Sequence, residues 1–88
     1  MEFDWDWANM NHIARHGIEP DEAEEAATDL ARVAAPAYRA QNGERRQAIP
    51  GKTVDGRVLT VVLTRRGPLF RVVTAREANA SERRAYRR

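Results

Sequence analysis

Arginines are concentrated in the second half of this chain, and their side chains are well suited to binding phosphate. Residues 37–88 contain thirteen bases and four acids, a net charge of +9, whereas residues 1–36 contain two bases and nine acids, a net charge of −7. A guanidinium group can bind phosphate oxygens through two parallel hydrogen bonds. The basic half therefore favours a polyanion such as nucleic acid as a partner.

The last predicted strand, "LFRVVTAR", carries two of these arginines. Side chains alternate between the two faces of a strand. If Phe70 and Val72 face the core, Arg71 and Ala75 lie on the open face of the sheet, and Arg76 projects where the strand ends. Arg71 and Arg76 are therefore the first candidates for charge stabilisation.

Further bases come from the neighbouring strand region, namely Arg45, Arg46 and Lys52. Several guanidinium groups that converge on one sheet surface would hold a phosphate. The alternative is a solvated sheet face whose arginines form scattered ion pairs with Glu44, Glu77 and Glu82.

Two histidines, His12 and His16, lie four residues apart on a predicted helix, a spacing that can place both imidazoles on one metal ion. No glutamate lies between them in the metalloprotease pattern, and no third ligand is near in sequence. Proton transfer by either histidine is the other functional reading. We expect neither a metal nor a cofactor.

The first third of the chain reads as two helices. Asp6 is a suitable N-cap for a helix over residues 7–16, and Gly17 suits its C-terminal end. A second helix is predicted to begin at Pro20 and to end at Pro36. The apolar faces expected to be buried are Trp7, Met10 and Ala14 with Ile13 beside them in the first helix, and Ala23, Ala26, Ala27, Leu30 and Ala34 in the second.

The remaining sequence alternates with a period of two, as strands do. "EFDW" is a short edge strand, "AYRA" a weak strand, and "ERRQAIPGK", "RVLTVVLTR" and "LFRVVTAR" are stronger ones. Asn79 and Glu82 form a predicted capping box at the start of a last helix. We expect one α+β domain over residues 1–88, with the order β–α–α–β–β–β–α and a largely antiparallel sheet.

Composition excludes several classes of protein. There is no cysteine, so neither disulfides nor a thiolate zinc site is available. No apolar run approaches the roughly 20 residues that span a bilayer, and the acidic start "MEFDWDW" is unlike a signal peptide. We expect a cytoplasmic protein with no membrane association.

Three stretches, "FDWD…HIARHGI…EEA", "ER…IPGKTVDGRVLTVVLT" and "FRVVTAREA…ERRAY", occur in the order and spacing of a known family. Over nearly its whole length the chain resembles the BrnT family of type II toxins, within the RelE-like ribonucleases. The resemblance implies a compact RelE-like sheet with two helices before it and one after it. It also implies an RNase that arrests translation, and a DNA-binding antitoxin, encoded by the neighbouring gene, that forms a hetero-oligomer with the toxin.

The resemblance also implies site residues. The family's arginines in and at the end of the last strand fall on Arg71 and Arg76, and the "ER…Y" of its last helix falls on Glu82, Arg83 and Tyr86. The family usually has a base after the strand-closing arginine, where this chain has Glu77.

The expected reaction is metal-independent cleavage of RNA, in which the ribose 2′-hydroxyl attacks the adjacent phosphate. This chemistry needs alignment, charge stabilisation and proton transfer. The predicted catalytic residues are Arg71, Arg76, Lys52 and Tyr86, and the predicted RNA-binding residues are Arg45, Arg46, Arg65 and Arg83.

Two other classes of function stay open at this point. The chain could be a module that binds nucleic acid on the same basic sheet without cleaving it. It could also be a protein-interaction subunit whose basic face meets an acidic partner. RNA cleavage assays separate the enzyme from both.

Overall fold

The computed structural model describes residues 1–87 and contains five strands and three helices. In chain order these are β1 Phe3–Asp4, α1 Trp7–Ala14, α2 Pro20–Ala27, β2 Tyr38–Arg39, β3 Arg45–Lys52, β4 Val58–Arg66, β5 Leu69–Glu77 and α3 Ala80–Tyr86. The α+β class is confirmed. Four strands, not three, lie between α2 and α3, because "AYRA" does pair with β3 at Tyr38 and Arg39.

All five strands form one sheet in the order β1-β5-β4-β3-β2. The pairs β2–β3, β3–β4 and β4–β5 are antiparallel, whereas β1 pairs parallel to β5 through Phe3 and Asp4. The sheet is therefore mixed. The parallel pair brings the acidic N-terminus next to Arg71, the register partner of Asp4.

One face of the sheet, here called the inner face, packs against α1 and α2. It carries the buried residues Ile49, Leu59, Val61, Leu63, Val72 and Ala75, which form one core with Ile13, Ile18, Ala23, Ala26 and Ala27. The opposite side is called the outer face. Helix α2 approaches β3 very closely, since a Cβ atom added to Gly51 would lie 1.9 Å from the carbonyl oxygen of Ala26.

A β-bulge in β5 decides which of its residues face the core. Leu63 pairs with Val72 and Val62 with Thr74, so Val73 is an extra residue in β5. The expectation that Ala75 shares a face with Arg71 is wrong, because the extra residue turns Ala75 into the core, where it is fully buried. The same bulge puts Arg71 and Arg76, five residues apart, on the outer face together.

Helix α1 lies along the free edge of β5 beyond β1. The Asn9 side chain donates hydrogen bonds to the backbone carbonyls of Val72 (3.1 Å) and Asp4 (2.9 Å), and Ile13 enters the core. Asp6 caps the helix as expected, in a capping box with Asn9. Of the apolar face expected to be buried, Ile13 is confirmed, whereas the expectation is wrong for Trp7, which is 79% exposed, and for Met10, which is 40% exposed.

Helix α2 begins at Pro20 as expected but ends at Ala27, well before Pro36. The Asp29 carboxylate accepts hydrogen bonds from the backbone N–H groups of Ala31 and Lys52. A side chain that binds backbone donors in this way competes with helix formation. Leu30, expected in the core, is consequently outside the helix and 98% exposed.

Helix α3 begins at the capping box of Asn79 and Glu82 and buries none of its own residues. Polar contacts hold it to the sheet, as described below. No helix in the described part of the chain has the length and apolar character needed to cross a membrane.

Candidate nucleic-acid interface

One row of outer-face residues crosses all five strands at the end of the sheet nearest the β4–β5 turn. In sheet order from β1 to β2 it consists of Asp4, Arg71, Thr64, Arg46 and Tyr38. Thr64 is buried between the two arginines, and its hydroxyl donates to the backbone carbonyl of Arg45 at 2.8 Å. The sheet therefore holds Arg46 and Arg71 on either side of a small, fixed residue.

Next to this row is a cleft of about 270 Å³, here called the arginine cleft. Its basic side chains are Arg46, Arg66 and Arg71, and α1 contributes Asn9 and His12 to the opposite wall. Antiparallel pairing brings β3, β4 and β5 side by side, and the position of α1 along the β5 edge brings the imidazole into the same cleft. Three guanidinium groups and one imidazole thus share one surface.

Carboxylates of the N-terminal segment hold Arg71. Its guanidinium group donates to Asp6 Oδ1 at 3.0 Å and to Asp4 Oδ2 at 3.4 Å, and its side chain is only 16% exposed. The hydrogen bond from Arg71 lowers the pKa of Asp6 below its usual value. Arg71 is therefore held in place by two ion pairs before any ligand arrives.

Glu44 has the same relation to the other two arginines of the cleft. Its carboxylate accepts from Arg46 Nε at 2.8 Å and from Arg66 at 3.0 Å. Hydrogen bonding from Arg46, with a smaller contribution from Arg66, lowers the pKa of Glu44. Three arginines and three carboxylates are thus in contact around one cleft.

Arg76 lies further along the outer face, level with Thr60 and Pro50. Its row is four residues from that of Arg46 along β3, or about 13 Å. It forms a bidentate pair with Glu82 of α3, at 2.7 and 2.9 Å. The hydrogen bond from Arg76 lowers the pKa of Glu82 to about 2.

The structure therefore contains the ion pairs that the sequence offered as the alternative reading. Glu44 binds Arg46 and Arg66, Glu82 binds Arg76, and Glu77 binds Arg57 and Arg83. The convergence of guanidinium groups is also present, but only for Arg46, Arg66 and Arg71. Convergence and ion pairing coexist on this face.

His12 and Arg66 belong to the cleft and were not among the predicted site residues. His12 Nε2 lies 3.1 Å from the Thr74 hydroxyl oxygen. The spacing of His12 and His16 drew attention to the helix, and their ring centroids lie 5.7 Å apart. Only the packing of α1 against β5 shows that His12 reaches the arginines.

Three predicted site residues lie at the other end of the sheet. Lys52 is six residues from Arg46 along β3, about 20 Å away. It shares a cavity of about 430 Å³ with Tyr86 and Arg83. Its Nζ lies 5.5 Å from the centroid of the Tyr86 ring. The structure therefore does not bring these three residues together with Arg71, because a phosphate bound at Arg71 is out of their reach, and their part in RNA binding or cleavage stays a prediction.

Contacts within the chain occupy Tyr86 and Arg83. The Tyr86 hydroxyl donates to Asp29 Oδ2 at 2.5 Å, and this hydrogen bond raises the pKa of Tyr86. Arg83 donates to the carbonyl of Ala78 and to the Glu77 carboxylate. Both side chains anchor α3 to the rest of the domain.

Arg45 and Arg65 lie on the inner face, not with Arg46 and Arg71. Arg45 neighbours the outer-face residue Arg46, and Arg65 neighbours Thr64, so alternation points both to the other side. They line a separate cavity, considered below. The expected single basic face is thus divided between the two sides of the sheet.

A small α+β domain with an arginine-lined cleft has the features of a polyanion-binding protein. Residues 5–82 match the family model for "Ribonuclease toxin, BrnT, of type II toxin-antitoxin system". The chain therefore belongs to the BrnT family of ribonuclease toxins, which confirms the resemblance seen in the sequence. A search of curated proteins found no match. Family membership supports ribonuclease activity and implies an antitoxin partner.

Proposed function

We propose that this chain is an endoribonuclease toxin that binds RNA phosphate in the arginine cleft and cleaves the adjoining bond. The observation that carries the proposal is that Arg46, Arg66, Arg71 and His12 line one cleft. Guanidinium groups supply positive charge and paired donors for a phosphodiester, and imidazole is the side chain most often used for proton transfer in catalysis.

The proposed reaction is a transesterification within the RNA. A base removes the proton of the ribose 2′-hydroxyl, O2′ forms a bond to the adjacent phosphorus, and the bond from phosphorus to O5′ breaks. The departing O5′ takes up a proton, and a 2′,3′-cyclic phosphate remains. Atoms and charge balance with one proton removed and one delivered.

His12 is proposed as the proton-transfer residue, and Arg71 as the main stabiliser of charge on the phosphoryl oxygens. Donors fixed before the reaction stabilise developing charge most effectively, because they need no reorganisation. The Arg71 side chain meets this condition, since it is mostly buried and also pairs with Asp4.

Binding requires an exchange of anions. A phosphate that enters the cleft takes the place of the carboxylates of Asp6 and Glu44 as partner of the arginines. Both carboxylates are partly exposed and can turn toward water, so the exchange replaces one charge-assisted hydrogen bond by another. The carboxylates keep the cleft ordered in the absence of RNA.

Arg76 is proposed to contact a flanking phosphate on the outer face, outside the reacting centre. The reaction is proposed to need no metal, and within residues 1–87 no three metal-binding side chains come together. The product of the neighbouring gene, a DNA-binding antitoxin, is proposed to neutralise the toxin in a hetero-oligomer. An acidic segment of that partner would cover the outer face, because the arginines that bind RNA would also bind its carboxylates.

The proposal is tested by measuring cleavage of a single-stranded RNA by the parent and by His12→Ala and Arg71→Ala. Loss of a charged hydrogen bond costs roughly 1.5–3 kcal/mol, so Arg71→Ala should slow cleavage about 10- to 100-fold. Loss of general acid–base catalysis should cost about 100-fold or more in His12→Ala. Arg15→Ala is the matched control, because Arg15 is exposed at the C-cap position that follows α1 and lies outside the cleft.

Parent rates in both cleft variants would show that the site is elsewhere. The same assay in EDTA tests the metal-independent reaction, which should proceed at an unchanged rate. Binding of RNA by the parent without cleavage would instead support the non-catalytic module.

A further inference from the structure

A second arginine row crosses the inner face at the same end of the sheet. Arg39 pairs with Arg45, and Phe70 pairs with both Arg65 and Phe3. Arg45 and Arg65 lie level with each other, because their neighbours Arg46 and Thr64 are register partners. Three arginines therefore stand side by side on β2, β3 and β4, next to an aromatic ring on β5.

These three arginines differ from those of the outer face in having no acidic partner. Within residues 1–87, none of Arg39, Arg45 and Arg65 forms an ion pair with a carboxylate. Arg39 and Arg65 donate only to the backbone carbonyls of Gly43 and Gly67, at 2.9 and 2.8 Å. Like charges directly opposite each other destabilise a sheet. The row therefore favours a bound anion from outside the domain.

A cavity of about 440 Å³ opens beside this row. Phe70 and Ala37 supply apolar surface beside the buried Leu63, and the polar groups come from Arg45, Arg65 and Gln47, with Glu44, Arg46 and Thr64 at the boundary with the outer face. Helix α2 ends at Ala27 and contacts β3 and β4 around the core, so that none of its residues lines the cavity. The cavity has the size and the mixed lining of a small-molecule site.

The Arg65 guanidinium group lies over the Phe70 ring, with Cζ 4.9 Å from the ring centroid. Its hydrogen bond from Nε to Gly67 fixes the position of the group. A guanidinium plane supported in this way is a surface on which single-stranded RNA bases stack.

We propose that this cavity, here called the base pocket, holds the base of the RNA nucleotide next to the one bound in the arginine cleft. The inference rests on the proposed function and assigns a second subsite to the same substrate. Arg65 would stack on the base, and Arg45 would bind its phosphate.

Two features favour RNA over an acidic peptide as the occupant. Glu44 and Arg46 line both the arginine cleft and the base pocket, so the two sites are contiguous around the end of the sheet. Arg65 and Arg66 are consecutive and lie on opposite faces, so one strand of RNA meets arginine on both sides of this edge.

The test uses a 2′-O-methyl RNA hexamer, which lacks the attacking hydroxyl, with the parent, Arg45→Gln and Arg65→Gln. Each variant should bind about tenfold more weakly than the parent. Arg45→Gln should also reduce the dependence of log Kd on log salt by about 0.7, the value for one phosphate contact on a single strand. Arg15→Gln, which removes the same charge elsewhere on the surface, should change the affinity much less.

A double-mutant cycle tests the stacking contact itself. One nucleotide of the hexamer is made abasic, at each position in turn. At one position, the loss of the base should weaken binding to the parent about tenfold. The same loss should leave binding to Arg65→Gln unchanged. Equal losses in the parent and Arg65→Gln at every position would overturn the proposal.

The affinity of the same variants for the neighbouring gene's product distinguishes a protein occupant of the pocket from RNA. If both variants bind RNA like the parent but lose affinity for that protein, the pocket is a protein-docking site and the proposal is wrong. The result is independent of catalysis, because the hexamer is not cleaved. A parent that binds it through the pocket and cleaves no RNA would contradict the proposed function and leave the pocket in place.

Discussion

The two faces of one end of the sheet carry the same residue type in different electrostatic surroundings. On the outer face, Arg46, Arg66 and Arg71 each contact a carboxylate within 3.0 Å. On the inner face, Arg45 and Arg65 lie one residue away in the chain and have no such partner in the described residues. Strand alternation alone separates the two groups.

The difference shows that the number of arginines does not give the charge available to a ligand. The outer group is ordered but nearly neutral, so it can bind phosphate only by exchange with its own carboxylates. The inner group keeps its positive charge and attracts anions directly. Specific positioning is therefore expected of the outer group, and salt-sensitive attraction of the inner group.

The largest expected effect is on the packing of α2, which covers the inner face at Gly51 and leaves the inner arginines uncovered at the other end. Helix α2 covers the inner face near Gly51, where an added Cβ would lie 1.9 Å from the Ala26 carbonyl oxygen. Gly51→Ala should push the helix away from β3 and lower the free energy of unfolding by about 3 kcal/mol. Urea denaturation measures the change. Glycine to alanine is otherwise mildly stabilising where the backbone allows it, so an unchanged or higher midpoint would refute the close approach.

An intermediate effect concerns the carboxylate of α3 on the outer face. The pKa of Glu82 is about 2, below its usual 4.5, so its ion pair stabilises the fold above about pH 4.5 and is lost as the pH falls toward 2. Glu82→Gln, which preserves the capping box, should lower the free energy of unfolding at pH 7 by about 2 kcal/mol, allowing for solvent screening.

Urea titrations at several pH values check this prediction. The parent should lose stability more steeply than Glu82→Gln between pH 5 and pH 2. Parallel curves for the two proteins would mean that the pair with Arg76 contributes nothing to folding.

The smallest expected effect concerns the exchange of anions on the outer face. The double variant Asp4→Asn/Asp6→Asn leaves Arg71 without carboxylates, and asparagine is as good an N-cap as aspartate. Its affinity for the 2′-O-methyl hexamer should rise about threefold to tenfold. The control Glu2→Gln/Asp21→Asn removes two acids that do not contact Arg71 and should show a smaller rise. A rise in the control as large as in Asp4→Asn/Asp6→Asn would mean that total charge, not release of Arg71, sets the affinity.

Local signals in the sequence were sufficient for the capped ends and the main strands. The capping box of Asn79 and Glu82, the N-cap at Asp6 and the start of α2 at Pro20 all rest on side chains that bind or shape their own backbone. The alternating sequences likewise predicted the strands β3, β4 and β5. Such features need no knowledge of the rest of the fold.

The site could not be predicted in the same way, because it depends on contacts between distant segments. The bulge at Val73 arises from the pairing of β4 with β5, and no residue type marks it. His12 reaches the arginine cleft only because Asn9 ties α1 to the β5 edge. Lys52 and Tyr86 looked compatible with Arg71 in sequence, but strand length separates them. Residue type predicted the chemistry, and pairing and packing decided which groups meet.

The attachment of α3 has a thermodynamic consequence. The helix buries none of its residues. It is held by the ion pairs of Glu82 with Arg76 and of Arg83 with Glu77, and by the hydrogen bond from Tyr86 to Asp29. Heat capacity rises when apolar surface is exposed and falls slightly when polar surface is exposed. Detachment of α3 should therefore change the heat capacity very little, and its free energy should vary weakly and without curvature as the temperature changes. The free energy of unfolding of the sheet and α2, by contrast, is strongly curved with temperature. On cooling, the core and this helix would respond differently, because ion pairs and hydrogen bonds, and not apolar contacts, hold the helix in place.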